Sequence, residues 1–165
     1  MESRGSPDSH HEGLTPQQRN SILALDVGDR RIGLASSDPM RVLASPGGVI
    51  VRSTLERDLE QVLAAIEEHE IGTVVVGLPF NMGGSEGTQA QKTRKFAAAL
   101  ASRGVAVELW DERLTTVEAI RILEDQGMKR KRIRRHVDEV AATLILDAYL
   151  RSLGSRPAKP AEAYD

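Results

Sequence analysis

Between residues 21 and 153 short apolar runs alternate with amphipathic stretches. Residues Ile22–Val27 form an apolar run closed by Asp26-Val27-Gly28-Asp29, which predicts a buried strand and then a turn. Ile32-Gly33-Leu34-Ala35 supplies a hairpin partner. Pro46-Gly47-Gly48 reads as a breaker, and Val49-Ile50-Val51 as a third short strand. Ser53-Thr54-Leu55-Glu56 has capping-box spacing and opens a helix. Its stripe is Leu55, Leu59, Val62, Leu63 and Ile66, and Gly72 is expected to close it. Thr73–Leu78 is continuously apolar, as in a central parallel strand covered on both faces, and Pro79 stops it. The loop Asn81-Met82-Gly83-Gly84 leads into a helix over 87–102, followed by a strand over 105–110. Thr115-Thr116-Val117-Glu118 repeats the capping pattern and starts a helix to Gln126. A basic stretch precedes a last helix over 137–153, with Val140, Ala141, Leu144, Ile145 and Ala148 on one side. The order βββαβαβαα predicts an α/β fold, a mixed five-stranded sheet with helices on both faces.

Composition narrows the function classes. A chain of 165 residues makes about one domain, expected over 21–153. Residues 1–20 and 154–165 lack apolar periodicity and read as flexible tails. A net charge of −2 excludes a histone-like basic protein and an acidic disordered one. Without cysteine there is no disulfide, thiol nucleophile or cysteine-ligated metal centre. No apolar run approaches the ~18 residues that span a bilayer, and residues 1–20 hold no apolar signal core. A soluble cytoplasmic protein without membrane partners is the expectation. Five aromatic residues argue against an extensive base-stacking platform.

The candidate chemistry is acidic. Asp26 ends the first strand, Asp111 and Glu112 follow the last, and Asp138 is expected in the first turn of the final helix. Each has an ordinary structural reading, as turn residue, surface charge or helix-dipole partner. Yet Asp26 closes a wholly apolar run, so its carboxylate emerges at the sheet rim where α/β folds place ligands. Converging carboxylates repel one another unless a cation lies between them, and their oxygens suit Mg²⁺ or Mn²⁺. Two such ions can serve a phosphodiester displacement. In the run Lys129-Arg130-Lys131-Arg132-Ile133-Arg134-Arg135, six of seven residues are basic. It reads as a solvated linker or a phosphate-contacting patch beside Asp138. His136 reads as a surface residue or a phosphate contact, and Trp110 as packing rather than base stacking.

Four blocks carry a resemblance. Leu25-Asp26-Val27-Gly28-Asp29-Arg30-Arg31-Ile32-Gly33-Leu34-Ala35, Val76–Gly87, Asp111–Ala119 and Val137–Leu146 resemble, in order, the motifs of the YqgF/RuvX family of ribonuclease H-like nucleases. The resemblance implies a ribonuclease H-like fold and a metal-dependent nuclease. The expected activity is processing of the 5′ end of pre-16S rRNA. The alternatives are junction resolution in DNA by a dimer and a non-catalytic nucleic-acid-binding module. The implied acidic set is Asp26, Glu112 and Asp138, with Asp111 competing with Glu112. Strand alternation points those two in opposite directions; Glu112 is favoured, with Asp111 as the second choice, behind it or at the helix entry. Arg31, Asn81 and Arg113 are the further candidate nucleic-acid contacts, with Lys129, Arg130, Lys131, Arg132, Arg134 and Arg135. The expected partner is structured RNA or branched DNA, bound by a monomer or weak homodimer. An actin-type ATPase ranks last, because one copy of the Asp-x-Gly motif cannot build its two-domain clamp.

Overall fold

The centre of the sheet is its most apolar part. In the computed structural model, β1 (Ser21–Val27) and β4 (Ile71–Leu78) run parallel, side by side. The structure describes residues 13–80, 84–112, 124, 125, 127 and 129–155, with the backbone alone for 16, 130–139 and 155. β2 (Arg31–Ser37) pairs antiparallel with β1, and β3 (Ala44–Val51) antiparallel with β2. β5 (Val107–Asp111) runs parallel to β4, so the order is β3-β2-β1-β4-β5. Helices α1 (Leu55–Glu68), α2 (Thr88–Ala101) and α3 (Arg130–Ser155) cover the sheet.

Alternation sorts the side chains into two cores. Leu23, Leu25, Val74 and Val76 pack with Leu59, Val62, Ile66, Phe96 and Leu100 of α1 and α2. Ile22, Ala24, Ala35 and Val75 pack with Ala142, Ile145, Leu146 and Tyr149 of α3. Both faces are covered, as the apolar runs predict. Among the described residues no helix is long and apolar enough to cross a membrane.

Four local expectations are corrected. The cap of α1 is Thr54, not Ser53: its hydroxyl accepts from Arg57 N–H at 3.2 Å. Asp58, rather than Glu56, reaches back to the chain before the helix, accepting from Ser53 N–H at 3.0 Å. Gly72 does not close α1. That helix is capped by His69, Glu70 takes the left-handed turn at φ +50, and Gly72 lies inside β4. There a Cβ would sit 2.0 Å from the Arg19 carbonyl oxygen, so close backbone approach explains that glycine. Pro46-Gly47-Gly48 does not break β3, because β3 is an edge strand, where a missing N–H is harmless. The pairing with β2 shifts register opposite these residues, as in a β-bulge.

The fourth correction bears on the site. The last helix begins at Arg130, not near residue 137, so the basic run is helix rather than linker. Lysine and arginine are good helix formers, and no glycine or proline intervenes before Gly154. Asp138 therefore lies beyond the first turn, where the helix dipole gives it no support. At the other end of the chain, Pro16–Gln18 form a 3₁₀ turn, and Arg19 pairs with Glu67 at 3.0 Å. The helix expected over 115–126 lies outside the described residues except for 124 and 125, which are helical. Residues 1–12 and 156–165 of the expected tails lie outside them too.

Candidate active site

Three parallel strands, β1, β4 and β5, end at one rim, and each brings a small or acidic residue to it. Asp26 is the penultimate residue of β1 and continues the row Ile22, Ala24 on the α3 face. Its partner across the β1–β2 ladder is Gly33, so no β2 side chain stands opposite the carboxylate. Glu112 follows β5, and its N–H donates to the Leu78 carbonyl at 3.2 Å. That bond extends the ladder by one residue and preserves its alternation. Glu108, Trp110 and Glu112 consequently share the α3 face: the Tyr149 hydroxyl of α3 donates to Glu108, and Trp110 meets the Tyr149 ring edge-on at 5.5 Å.

The alternation separates Asp111 from Glu112, and it is Glu112 that meets Asp26. The two carboxyl groups are hydrogen-bonded to each other. Between their strands lies β4, with Gly77 directly beneath: the space its side chain would fill is taken by Glu112 Oε2 and Ile145 Cδ1. Burial, the Asp26 charge, the hydrogen bond to Asp26 and the Asp111 charge, in that order, push the Glu112 carboxyl up to about 8. With no cation bound, Glu112 therefore keeps its proton at neutral pH.

The end of β1 is held from the opposite face. The Gln89 side chain donates to the Val27 carbonyl at 3.0 Å, and Arg52 Nη1 to the Gly28 carbonyl at 2.8 Å. Arg52 Nε also donates at 3.0 Å to Asp58, which is only 1% exposed. The same guanidinium lies 5.5 Å over the Phe96 ring centroid. These contacts tie the two residues after Asp26 to α1, α2 and the entry of α1. The pattern of the chain did not single out Arg52, Gln89 or Gly77. Of these, Gly77 carried a readable signal, since an isolated glycine in an apolar strand often marks a close approach.

Arg31 opens β2, is exposed, and by alternation lies on the same face as Gly33 and hence Asp26. With Gly28, Asp29 and Arg30 it lines a depression of about 340 Å³ at the hairpin tip. Position 138 lies one turn before Ala142 and two before Ile145, both buried against the sheet, so the three positions share a helix stripe. Position 138 is about 10 Å along the axis from Ile145. The Asp138 side chain and those of Arg130, Lys131, Arg132, Arg134, Arg135 and His136 lie outside the described residues, as do Asn81 and Arg113. Lys129 is exposed. Ile145 reaches Gly77, and one turn later Tyr149 reaches Glu108, lower on β5. The earlier turns of α3, with the basic run, therefore extend toward the acidic rim.

The described donors are two carboxylates with no sulfur or nitrogen ligand beside them, a set suited to a hard divalent cation. Among the described residues no cluster of three metal-binding side chains forms. The pair supplies two, and the third acid of the set, Asp138, is not among the described side chains.

The sheet order, the covered faces and the carboxylate ending β1 define a ribonuclease H-like fold. The solved structure titled "T. thermophilus RuvC in complex with Holliday junction substrate" matches at a TM-score of 0.54 with 16% identity, over 82% of this chain and 96% of that one. Residues 20–152 match the RuvX family, described as Holliday junction resolvase. A Halothermothrix orenii protein is 46% identical over 130 residues, 78% of this chain and 93% of its own. One from Pelotomaculum thermopropionicum is 44% identical over 142 residues, 85% of this chain and 92% of its own. Both carry the name "Putative pre-16S rRNA nuclease". The chain belongs to the RuvX family.

Proposed function

We propose that this protein is a divalent-metal-dependent nuclease that trims the 5′ end of pre-16S rRNA in the cytoplasm. The observation that carries this reading is the convergence of Asp26 and Glu112 over Gly77 at the carboxyl rim of the sheet. Two carboxyls so placed are under repulsion that a cation relieves. Asp26 and Glu112, with Asp138 completing the set, would hold Mg²⁺ or Mn²⁺. When bound, such an ion supplies positive charge and Lewis acidity for phosphodiester hydrolysis. The chain's own groups do the rest. Arg31, on the face of Asp26, offers a planar guanidinium to a backbone phosphate. Lys129–Arg135 supply affinity without sequence preference, and Asn81 and Arg113 border the substrate path. The rRNA assignment follows the names of the relatives. The chain acts as a monomer or weak homodimer. An acid pair at the rim also argues against a module that binds without cutting.

Matched RNA, duplex DNA and four-way-junction substrates, incubated with Mg²⁺ or Mn²⁺ and separately with chelator, test this reading. Expected is cation-dependent cleavage of a pre-16S leader, abolished in Asp26→Asn with the fold retained. Chelator-insensitive cleavage, full activity in that variant, or symmetric cutting of junctions alone would overturn it.

A further inference from the structure

β4 carries Thr73, Val75 and Gly77 on the face turned to α3, and Val75 is fully buried there. The row is thus filled until the rim and then stops. We propose that Gly77 is a positioning residue of the acidic site: its missing side chain lets the Glu112 carboxyl cross β4 and reach Asp26. This deepens, and rests on, the reading of Asp26 and Glu112 as a cation-holding pair.

The geometry is specific. β1 and β5 flank β4, so at ~4.8 Å per strand spacing their backbones lie roughly 10 Å apart. Glu112 has to span the width of a strand to touch Asp26. A Cβ on Gly77 would sit 2.5 Å from Glu112 Oε2, 3.0 Å from Glu112 Cδ and 2.5 Å from Ile145 Cδ1. Real Cβ contacts do not come below 3.0 Å, so something must shift. All three atoms belong to the far ends of flexible side chains, so an added methyl turns Glu112 and Ile145 aside and leaves the sheet in place. Gly72 in the same strand is the contrast. Its Cβ would meet the Arg19 carbonyl oxygen at 2.0 Å and carbon at 2.8 Å, which are backbone. Gly72 serves the fold, and Gly77 serves the site.

Four full-length proteins test this: wild type, Gly77→Ala, Gly77→Ala with Ile145→Val, and Ile145→Val alone. The Val change deletes the Cδ1 methyl that a new Cβ would strike, without touching Glu112. The readouts are thermal midpoint, Mn²⁺ affinity by calorimetry, the Asp26–Glu112 carboxyl separation by crystallography, and kcat and KM on an RNA hairpin. For Gly77→Ala the expected results are at least a tenfold loss of Mn²⁺ affinity, a fall of at least 100-fold in kcat and a KM within twofold. Its Glu112 carboxyl should lie out of hydrogen-bond reach of Asp26 in the crystal structure. Adding Ile145→Val should restore the thermal midpoint but neither kcat nor Mn²⁺ affinity. Wild-type Mn²⁺ affinity and kcat in Gly77→Ala would overturn the proposal. So would full recovery on adding Ile145→Val, which would make Gly77 a packing position. Failure of both alanine variants to fold would also overturn it, because the methyl would not have been absorbed by side-chain ends. If wild type neither binds Mn²⁺ nor cleaves, the nuclease reading fails on its own. The crystal structures then decide this inference, and an unmoved Asp26–Glu112 pair in Gly77→Ala overturns it.

Discussion

Glu112→Gln should stabilise the cation-free protein at alkaline pH, although it removes a group assigned to the active site. The Glu112 carboxyl is held at about 8 against an ordinary 4.5. Between those values the folded chain keeps a proton that the unfolded chain has released, so stability falls as pH rises from 4.5 toward 8. At about 1.4 kcal/mol per pH unit, the full effect approaches about 5 kcal/mol. Glu112 is only partly buried, and solvent screening leaves about 2–3 kcal/mol. Glutamine is nearly isosteric, cannot ionise, and keeps a donor toward Asp26. Urea unfolding with chelator present should show the variant close to wild type at pH 5. At pH 9 it should be more stable by that amount, or roughly 5–10 °C in thermal midpoint. Mn²⁺ should then reverse the order, since binding to the native state alone stabilises it and the variant has lost one carboxylate. An equal gap at pH 5 and pH 9, or a less stable variant at pH 9, would refute the shared-proton pair.

Three further outcomes are expected. Arg52→Met leaves the Asp58 carboxylate buried without its guanidinium and should cost about 3–5 kcal/mol in urea unfolding. Adding Asp58→Asn should recover part of the loss, whereas additive losses would show that the two residues act independently. Replacing Lys129, Arg130 and Lys131 with glutamine should weaken RNA and DNA binding alike. It should also flatten the log–log salt dependence by about 0.7–0.9 per lost phosphate contact; an unchanged slope marks those turns of α3 as merely solvated. Gly72→Ala should lower stability by about 1–3 kcal/mol by overpacking against Arg19 while cleavage stays at wild-type level. Lost cleavage in a folded Gly72→Ala protein would contradict the separation of its role from that of Gly77.

The central strands were legible because their signal is local. β1 is apolar from Ile22 to Leu25 and β4 from Val74 to Leu78, and only burial on both faces makes such runs worth forming. The reach of β3 was not legible, because Pro46-Gly47-Gly48 is tolerated at an edge and the edge position is a property of the whole sheet. The start of α3 was hidden for the opposite reason. Its early turns carry charge rather than an apolar stripe, so their helical propensity left no periodic trace. The choice between Asp111 and Glu112 turns on where the β4–β5 ladder ends. The Glu112–Leu78 bond carries the alternation one residue past β5, a pairing between residues 34 positions apart that no local pattern encodes.

That ladder bond also sets the face on which Glu112 meets Asp26. Asp26 and Glu112 reach the rim from strands that are not neighbours, and they meet because the strand between them offers a glycine there. Asp138 is placed by different means. In the first turn of a helix it would have been explained by the dipole alone. With α3 beginning at Arg130 that explanation lapses, and what remains is its register with Ala142 and Ile145, two residues seated on the sheet. The Asp26–Glu112 pair does not add to stability: burial and the Asp26 charge raise the Glu112 carboxyl to about 8, so the fold weakens as pH rises from 4.5 toward that value. A buried acid pair that costs stability is what the proposed cation site would require, since a bound cation offsets that cost.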